Sequence, residues 1–315
     1  MIRPLDLVLL TDDAHEAPAV SAAAPATGAG SAAWHRQLLR EDHLLLDACR
    51  RAGLATERVA WSNPRFDWRC TRAACFRSTW DYFHRFGEFA AWLERAAAAT
   101  RLLNDVAIVR WNLDKRYLLD LERAGVAIVP TAIVPAGGAL DLERKLAAAD
   151  GGRHPRPELI VKPAVSGAAR ETHRIDGANA AAVAPRLAAL LQREALLVQP
   201  FRPEVLSAGE VSLIVIAGRF SHAVAKRPKP GDFRVQDDHG GTVTAHAADA
   251  AEIDFALRAV AAAPAPPLYA RVDVIEHAGR LELMELELIE PELFFRFRPE
   301  AADELALAIA TRLRA

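Results

Sequence analysis

Apolar positions recur along this chain with two periods, and the switches between them mark out its elements. Residues 5–10, apolar except for Asp6 and closed by Thr11-Asp12-Asp13, read as a buried strand. Residues 14–33 are rich in Ala, Pro and Gly, carry almost no charge, and read as a loop or lid. An amphipathic repeat predicts a helix over 41–52, and a strand follows over 55–60. A second strand-like run then passes through Cys75-Phe-Arg-Ser-Thr-Trp-Asp-Tyr-Phe83 into a helix over 86–98. Strand and helix alternating in this order predict a small parallel sheet.

Beyond residue 102 the pattern changes. A helix ends at Ala124 with Gly125 as its stop signal, and a strand is predicted over 127–134. Residues 159–170 hold a strand and then a loop of small residues. A helix over 178–193, a strand over 196–201 and a hairpin over 209–226 turning at Ala217-Gly218 come next. Residues 227–241 form a loop dense in Arg, Lys and Gly, either a solvated connector or a segment that orders over an anionic substrate. Helices are predicted over 251–263 and 299–314. Between them, alternating runs at 268–276 and 280–288 flank His277-Ala278-Gly279 and read as a second hairpin. Period-two alternation puts Arg271 and Asp273 on one face, and Glu285 and Glu287 together on one face of the partner strand.

That last hairpin is where charge changes the picture. Carboxylates gathered on a half-buried sheet repel one another and are costly to desolvate, so they call for a counter-ion. Mg²⁺ suits them, as a hard cation that takes oxygen ligands; a solvent-facing acidic strand would instead leave them hydrated. Elsewhere charge is unremarkable. The chain has 315 residues, 51% hydrophobic and 25% charged, enough for two or three lobes, and its net charge of −2 gives no general attraction to nucleic acid or an anionic membrane. Only five of the 39 basic residues are lysines: Lys115, Lys145, Lys162, Lys226 and Lys229. In so arginine-rich a chain each lysine is a candidate for a site that needs a compact ammonium. Cys49, Cys70 and Cys75 form neither a disulfide framework nor a zinc pattern and read as buried thiols. No signal peptide and no apolar run of membrane-spanning length is apparent, so a cytoplasmic location is expected.

Several positions invite a ligand. Asp12 and Asp13 follow a strand end, where an ordinary polar turn is the alternative. Ser78, Thr79 and Asp81 read either as a cap of the next helix or, with Arg77, as a grip on a substrate carboxylate at that helix's N-terminus. Lys115 near a helix start opposes the helix dipole and wants an anion, unless it is simply solvated. Lys162 lies within an apolar strand, where an ammonium is expensive without a phosphate or carboxylate. The loop Val165-Ser-Gly-Ala-Ala169 has side chains small enough for backbone N–H groups to approach phosphate. Gln199-Pro200 ends a strand as a hinge of the kind that grips a purine. His222 and His239 read as structural.

These pieces, in this order, resemble the ATP-grasp superfamily over roughly residues 106–291. The Gln199-Pro-Phe-Arg-Pro-Glu-Val, Gly209-Glu210, Phe233-Arg-Val-Gln and Gly240-Gly241 series is similar to bacterial glutathione synthetases. Arg77-Ser-Thr-Trp-Asp-Tyr82 and Glu285-Leu-Glu-Leu-Ile-Glu-Pro291 resemble the branch that includes the cyclo-ligase making D-cycloserine from O-ureido-D-serine. The resemblance implies an α/β ATP-grasp fold: a parallel-sheet lobe over 1–105, a small lobe with the phosphate loop over 106–200, and a lobe with the metal site over 201–315. Two α+β lobes would grip ATP between them.

By the same resemblance, Lys115 and Lys162 hold ATP phosphates, and Ser166 and Gly167 belong to the phosphate loop. Gln199, Pro200 and Phe201 form the adenine hinge, Glu210 takes the ribose, and Lys226 joins the nucleotide site. Asp273, Glu285 and Glu287 would bind Mg²⁺ or Mn²⁺, Arg271 would steady the transferred phosphoryl group, and Arg234 would bind substrate or acyl phosphate. Two departures stand out: Glu287 where most members have asparagine, and Ala168 and Ala169 where glycines are common. The implied enzyme is a carboxylate–amine ligase that activates an amino-acid-like carboxylate as an acyl phosphate and joins it to an amine, within one molecule or between two. Asp12, Asp13, Arg77, Ser78, Thr79, Trp80 and Arg234 would frame the substrate, and the resemblance leaves room for a homo-oligomer. A small-molecule kinase and a nucleotide sensor with a degenerate site are the competing readings.

Overall fold

The computed structural model describes residues 5–16, 32–142, 144–145, 158–236 and 240–314. Its first lobe holds β1 (Leu7–Thr11), β2 (Thr56–Ala60), β3 (Ala73–Ser78) and β4 (Arg101–Leu103), all parallel, in the order β2-β1-β3-β4. Parallel neighbours require crossovers, supplied by α1 (Ala32–Arg51) and α2 (Phe86–Ala99). The apolar run of β1 follows from this arrangement. Leu7 and Leu9 pack with Leu45 of α1, while Val8 and Leu10 pack with Phe89 and Trp92 of α2, so neither face of the strand meets water.

Two expectations change here. Helix α1 already starts at Ala32, so the end of the predicted 14–33 loop is helical; residues 17–31 lie outside the described residues. The Ser78, Thr79 and Asp81 cluster caps nothing, because α2 begins only at Phe86 with Arg85 before it. Ser78 closes β3 and its hydroxyl reaches Thr11 and Asp42, at 2.8 and 2.6 Å. Asp81 accepts from the Trp61 indole at 2.6 Å and from Arg85 at 2.9 Å. Residues 79–85 make turns of their own before the helix starts, so no helix N-terminus faces Arg77.

Helices α3 (Val106–Asn112) and α4 (Tyr117–Arg123) lead to the second sheet, formed by β5 (Ala132–Val134), β6 (Leu159–Pro163), β7 (His173–Ile175) and β8 (Leu196–Pro200). It is antiparallel, in the order β5-β8-β6-β7. Helix α5 (Ala180–Leu191) covers it, packing Leu187, Leu190 and Leu191 on Val161, Leu196 and Val198. The strand predicted over 127–134 is two pieces that serve two sheets. Pro130 cannot donate to a ladder. Before it, Ile128 bridges Leu283 in the third sheet; after it, β5 pairs with β8.

After α6 (Glu204–Ser207), the third sheet comprises β9 (Glu210–Ile216), β10 (Arg219–Arg227), β11 (Thr242–His246), β12 (Tyr269–His277) and β13 (Arg280–Glu287). Its order is β11-β10-β9-β12-β13, antiparallel throughout. One face buries Leu213, Val215, Val272, Val274, Leu283 and Leu286 against α3, α4 and α7 (Ala250–Ala261). Helix α8 (Glu300–Arg314) returns to the first lobe and packs Leu305 and Ile309 among Leu45 and Cys49 of α1. No helix among the described residues is long and apolar enough to cross a membrane. Cys49 and Cys75 are buried free thiols, pushed up to about 12 and about 11 by burial; Cys70 departs from expectation by being half-exposed.

Candidate active site

The opposite face of the third sheet, the second sheet and the edge of the first lobe enclose one cleft. Fourteen of the expected site residues line it: Lys115, Lys162, Ser166, Gly167, Gln199, Pro200, Phe201, Glu210, Lys226, Arg234, Arg271, Asp273, Glu285 and Glu287. Asp12, Arg77, Ser78 and Thr79 are not on its wall; all four are buried in the first lobe.

The carboxylates reach the cleft because of an irregularity in β13. Strict alternation from Arg280 to Leu288 would put Leu281 and Leu283 on the same face as Glu285 and Glu287. Asp273 pairs with Glu285, but Val274 pairs with Leu283, so Met284 is an extra residue that shifts the parity of the strand. Leu283 and Leu286 thereby face the core, and Met284, Glu285 and Glu287 line the cleft.

Side chains from the preceding helices hold this strand. The Asn112 amide donates to Leu286 O at 2.8 Å and accepts from Leu288 N at 2.9 Å, standing in for a missing neighbour strand. The Tyr117 hydroxyl accepts from Leu286 N at 3.0 Å. Asn104 donates to Tyr269 O and Leu288 O, at 3.0 and 2.7 Å, fastening the start of β12 to the end of β13.

Protein cations, rather than a bare gathering of like charge, meet the carboxylates. Lys115 lies 2.6 Å from Glu285 and donates to Ser166 O at 2.7 Å. Arg271 bridges Asp273 at 2.9 Å and Glu287 at 2.5 Å. Lys226 pairs with Glu210 and lies 3.3 Å from Asp273, whose other oxygen accepts from Ser212. So placed, no group of three His, Cys, Asp or Glu side chains among the described residues is arranged as a ready cage for a cation. The donor chemistry nonetheless suits a hard cation. Burial, opposed by Arg271 and reinforced by Glu285 and Asp273, pushes Glu287 up to about 7. Burial and the charge of Glu287 push Glu290 up to about 8. Both carboxyls are thus costly to keep ionised where they stand, and a cation entering the cleft would favour their charged forms.

Lys162 is arranged differently from the other two lysines. Burial, and then repulsion from Lys115, pulls its ammonium below the ordinary value against the attraction of Glu285. Burial also opposes the charge on Lys115 and Lys226, yet Glu285 raises the first and Asp273 with Glu210 the second. The Lys162 ammonium makes no hydrogen bond or ion pair among the described residues, while the residue is half-exposed to the cleft. It is a cation aimed at a space that an anion would fill.

The loop after β6 explains its small residues. A Cβ on Gly167 would stand 2.6 Å from the Phe83 ring, so only glycine lets the loop lie against the first lobe. Ala168 and Ala169 adopt φ of 48° and 54°, a left-handed backbone that costs an alanine about 1 kcal/mol and makes clear why glycine is common there. At the hinge, Gln199 donates to Thr131 Oγ1 at 2.9 Å, Phe201 N donates to Glu158 O at 2.8 Å, and Arg174 stacks on the Phe201 ring at 4.1 Å. Arg202 pairs with Glu282 at 2.7 Å and ties the hinge to the third sheet. In the 227–241 loop, residues 237–239, and with them His239, lie outside the described residues; Arg234 lines the cleft and donates to Asp232 at 2.7 Å. His222 is buried beside Ser221 and off the cleft wall.

Trp80, expected to help frame the substrate, lines the cleft, and so do Phe83, Arg202, Met284, Glu290 and Glu292, which sequence reasoning passed over. Trp80 and Glu290 stood inside motifs already singled out. Trp80 donates from Nε1 to Glu290 O at 2.9 Å, and Arg77 from Nη2 to Pro291 O at 3.1 Å, so the first lobe grips the chain just beyond the metal-ligand candidates.

Comparison with known proteins gives a consistent picture. Residues 8–104 match the family described as the N-terminal domain of D-cycloserine synthetase DcsG. The chain is 34% identical over 284 residues to the cycloserine biosynthesis protein DcsG of Streptomyces lavendulae, covering 86% of this chain and 93% of that one. The crystal structure of D-cycloserine synthetase DcsG superposes with a TM-score of 0.81 at 30% identity, over 98% of this chain and 99% of that one. The D-alanine–D-alanine ligase of Bacillus anthracis in complex with ATP shares the fold, with a TM-score of 0.63 at 11% identity over 98% and 97% of the two chains.

Proposed function

The chain belongs to the DcsG family of ATP-grasp ligases, and on that premise we propose that it activates the carboxylate of an amino acid and closes it onto a nitrogen of the same molecule. Membership makes it an ATP-dependent enzyme that forms C–N bonds; which bond, and in which substrate, is the proposal. The observation that carries it is Lys162, an unpaired ammonium beside Lys115 and Glu285 in a cleft formed by the second and third sheets and the edge of the first lobe.

In this reading Lys115 and Lys162 hold the ATP phosphates, Ser166 and Gly167 bring backbone N–H groups to them, and Gln199, Pro200 and Phe201 border the adenine. Glu210, kept in place by Lys226, meets the ribose. Asp273, Glu285 and Glu287 would hold Mg²⁺, or Mn²⁺, which supplies charge neutralisation for the phosphates. The γ-phosphoryl group passes to a carboxylate oxygen, ADP leaves, and the nitrogen then displaces phosphate from the acyl phosphate. Arg271 and Arg234 offset the charge spread over the transferring group, so the protein's contribution is positioning and electrostatics rather than a covalent nucleophile. Closing the loops near 166 and 231 would keep water from the acyl phosphate.

On the substrate side, Arg77 Nε and Nη1 and Thr79 Oγ1 have no hydrogen-bond partner among the described residues but are buried off the cleft wall, and Ser78 and Asp12 are engaged within the lobe, so Trp80 and Phe83 are the first-lobe side chains that border the cleft. The division at 105 and 200 belongs to the same proposal, with α3 and α4 packed on the third sheet. The experiment is ADP release by the purified protein with Mg²⁺-ATP and O-ureido-D-serine, beside pools of D- and L-amino acids and dipeptides, with products read by mass. A cyclised product is expected. Condensation of two molecules would move the reading to an intermolecular ligase, and ADP release with a phosphorylated hydroxyl as end product would overturn it.

A further inference from the structure

The acidic residues on the cleft wall are matched to cations with one exception. Glu210 pairs with Lys226, Asp273 and Glu287 with Arg271, Glu285 with Lys115, and Glu292 with Arg296. No cation pairs with Glu290 among the described residues; its polar neighbour is the buried Tyr82 hydroxyl. A half-buried carboxylate is costly to leave without a positive partner. Nor is the side chain placed by accident. Trp80 holds the Glu290 carbonyl and Arg77 the next one, so the first lobe fixes this turn of chain while its side chain lines the cleft.

We propose that Glu290 holds the ammonium group of the amino-acid substrate, and is the residue that selects a substrate bearing one. The inference rests on the ligase reading above and deepens it. An α-amino acid carries its ammonium one carbon from its carboxylate. Glu290 lies three residues past Glu287, at the seam between the phosphate-binding part of the cleft and the first lobe. The carboxylate to be activated would point toward Lys162 and Arg271, and the ammonium toward Glu290. The cleft's basic residues suit phosphates and carboxylates; Glu290 is the group left to recognise the opposite charge.

The test compares O-ureido-D-serine, D-serine and L-serine, each beside the same molecule lacking its amino group, as substrates of the wild-type protein, Glu290→Gln and Glu290→Asp. Binding of each is also measured with a non-hydrolysable ATP analogue present. Wild-type protein should prefer the amino acid over its desamino analogue by about 10- to 100-fold, the range of a hydrogen bond to a charged group. Glu290→Gln should erase that preference, raise KM for the amino acid alone, and leave affinity for the ATP analogue unchanged; Glu290→Asp should restore part of the preference. A variant that weakens amino acid and desamino analogue equally, or that weakens nucleotide binding, would overturn the assignment, as would an unchanged preference. If wild-type protein releases no ADP with any of these, the ligase reading fails first. The binding comparison then decides the role of Glu290 separately, and the absence of any preference for an ammonium rejects it.

Discussion

At Lys162 an ammonium stands in an apolar strand with no counter-charge of its own, and burial already pulls it below its ordinary value. An anion entering the cleft reverses that cost, so the side chain should matter far more to turnover than to folding. Lys162→Ala is expected to abolish ADP release while circular dichroism and melting stay near those of the wild type; removing an unpaired cation should even stabilise the protein slightly. Glu285→Gln should also abolish turnover, but with a lower melting temperature, because it leaves Lys115 buried without its partner. Near wild-type ADP release from either purified variant would remove these residues from the chemistry. Lys162 was legible in the sequence because an isolated ammonium among Leu159, Ile160 and Val161 contradicts its surroundings. Glu290 was not: a glutamate in a Glu-rich stretch looks like its neighbours until their partners are known.

The second hairpin shows what a regular pattern conceals at the scale of the element. Its two strands and its turn were legible from alternation and from Ala278-Gly279, whose φ values of 50° and 73° are those of a tight hairpin turn. The bulge at Met284 was written there too, since leucines at 281 and 283 give way to leucines at 286 and 288. Reading the run as one unbroken alternation hides that change of parity. The clamp by Asn112 carried no such signal, because an asparagine at the end of a helix reads as a cap or stop. Asn112→Ala would leave Leu286 O and Leu288 N buried and unsatisfied, and is expected to cost about 2 kcal/mol in urea unfolding. It should also lower kcat by loosening Glu285 and Glu287. A loss below about 0.5 kcal/mol would mean that water replaces the amide and that the clamp is dispensable.

At the scale of the whole molecule the chain ends where it begins: α8 packs on α1, and Leu305 is fully buried between the first lobe and the third sheet. Leu305→Ala should destabilise the protein by about 3 kcal/mol, measured by thermal or urea unfolding, while KM for ATP is unchanged because Leu305 packs on Ile214, Ile216 and Val224, off the cleft wall. A selective loss of ATP affinity without loss of stability would contradict this view of the helix as a brace. By itself the sequence determined the order and type of most elements, the parallel first lobe, and fourteen of the residues that line the cleft, because local periodicity and out-of-place charges are properties of neighbours along the chain. Tertiary structure alone decided which cation meets which carboxylate, that residues 127–134 divide between two sheets at Pro130, that the first-lobe cluster caps no helix, and that Glu290 is left over. Those outcomes depend on groups brought together from distant parts of the chain, and a pairing between residues 115 and 285, or 80 and 290, leaves no trace in the spacing of either.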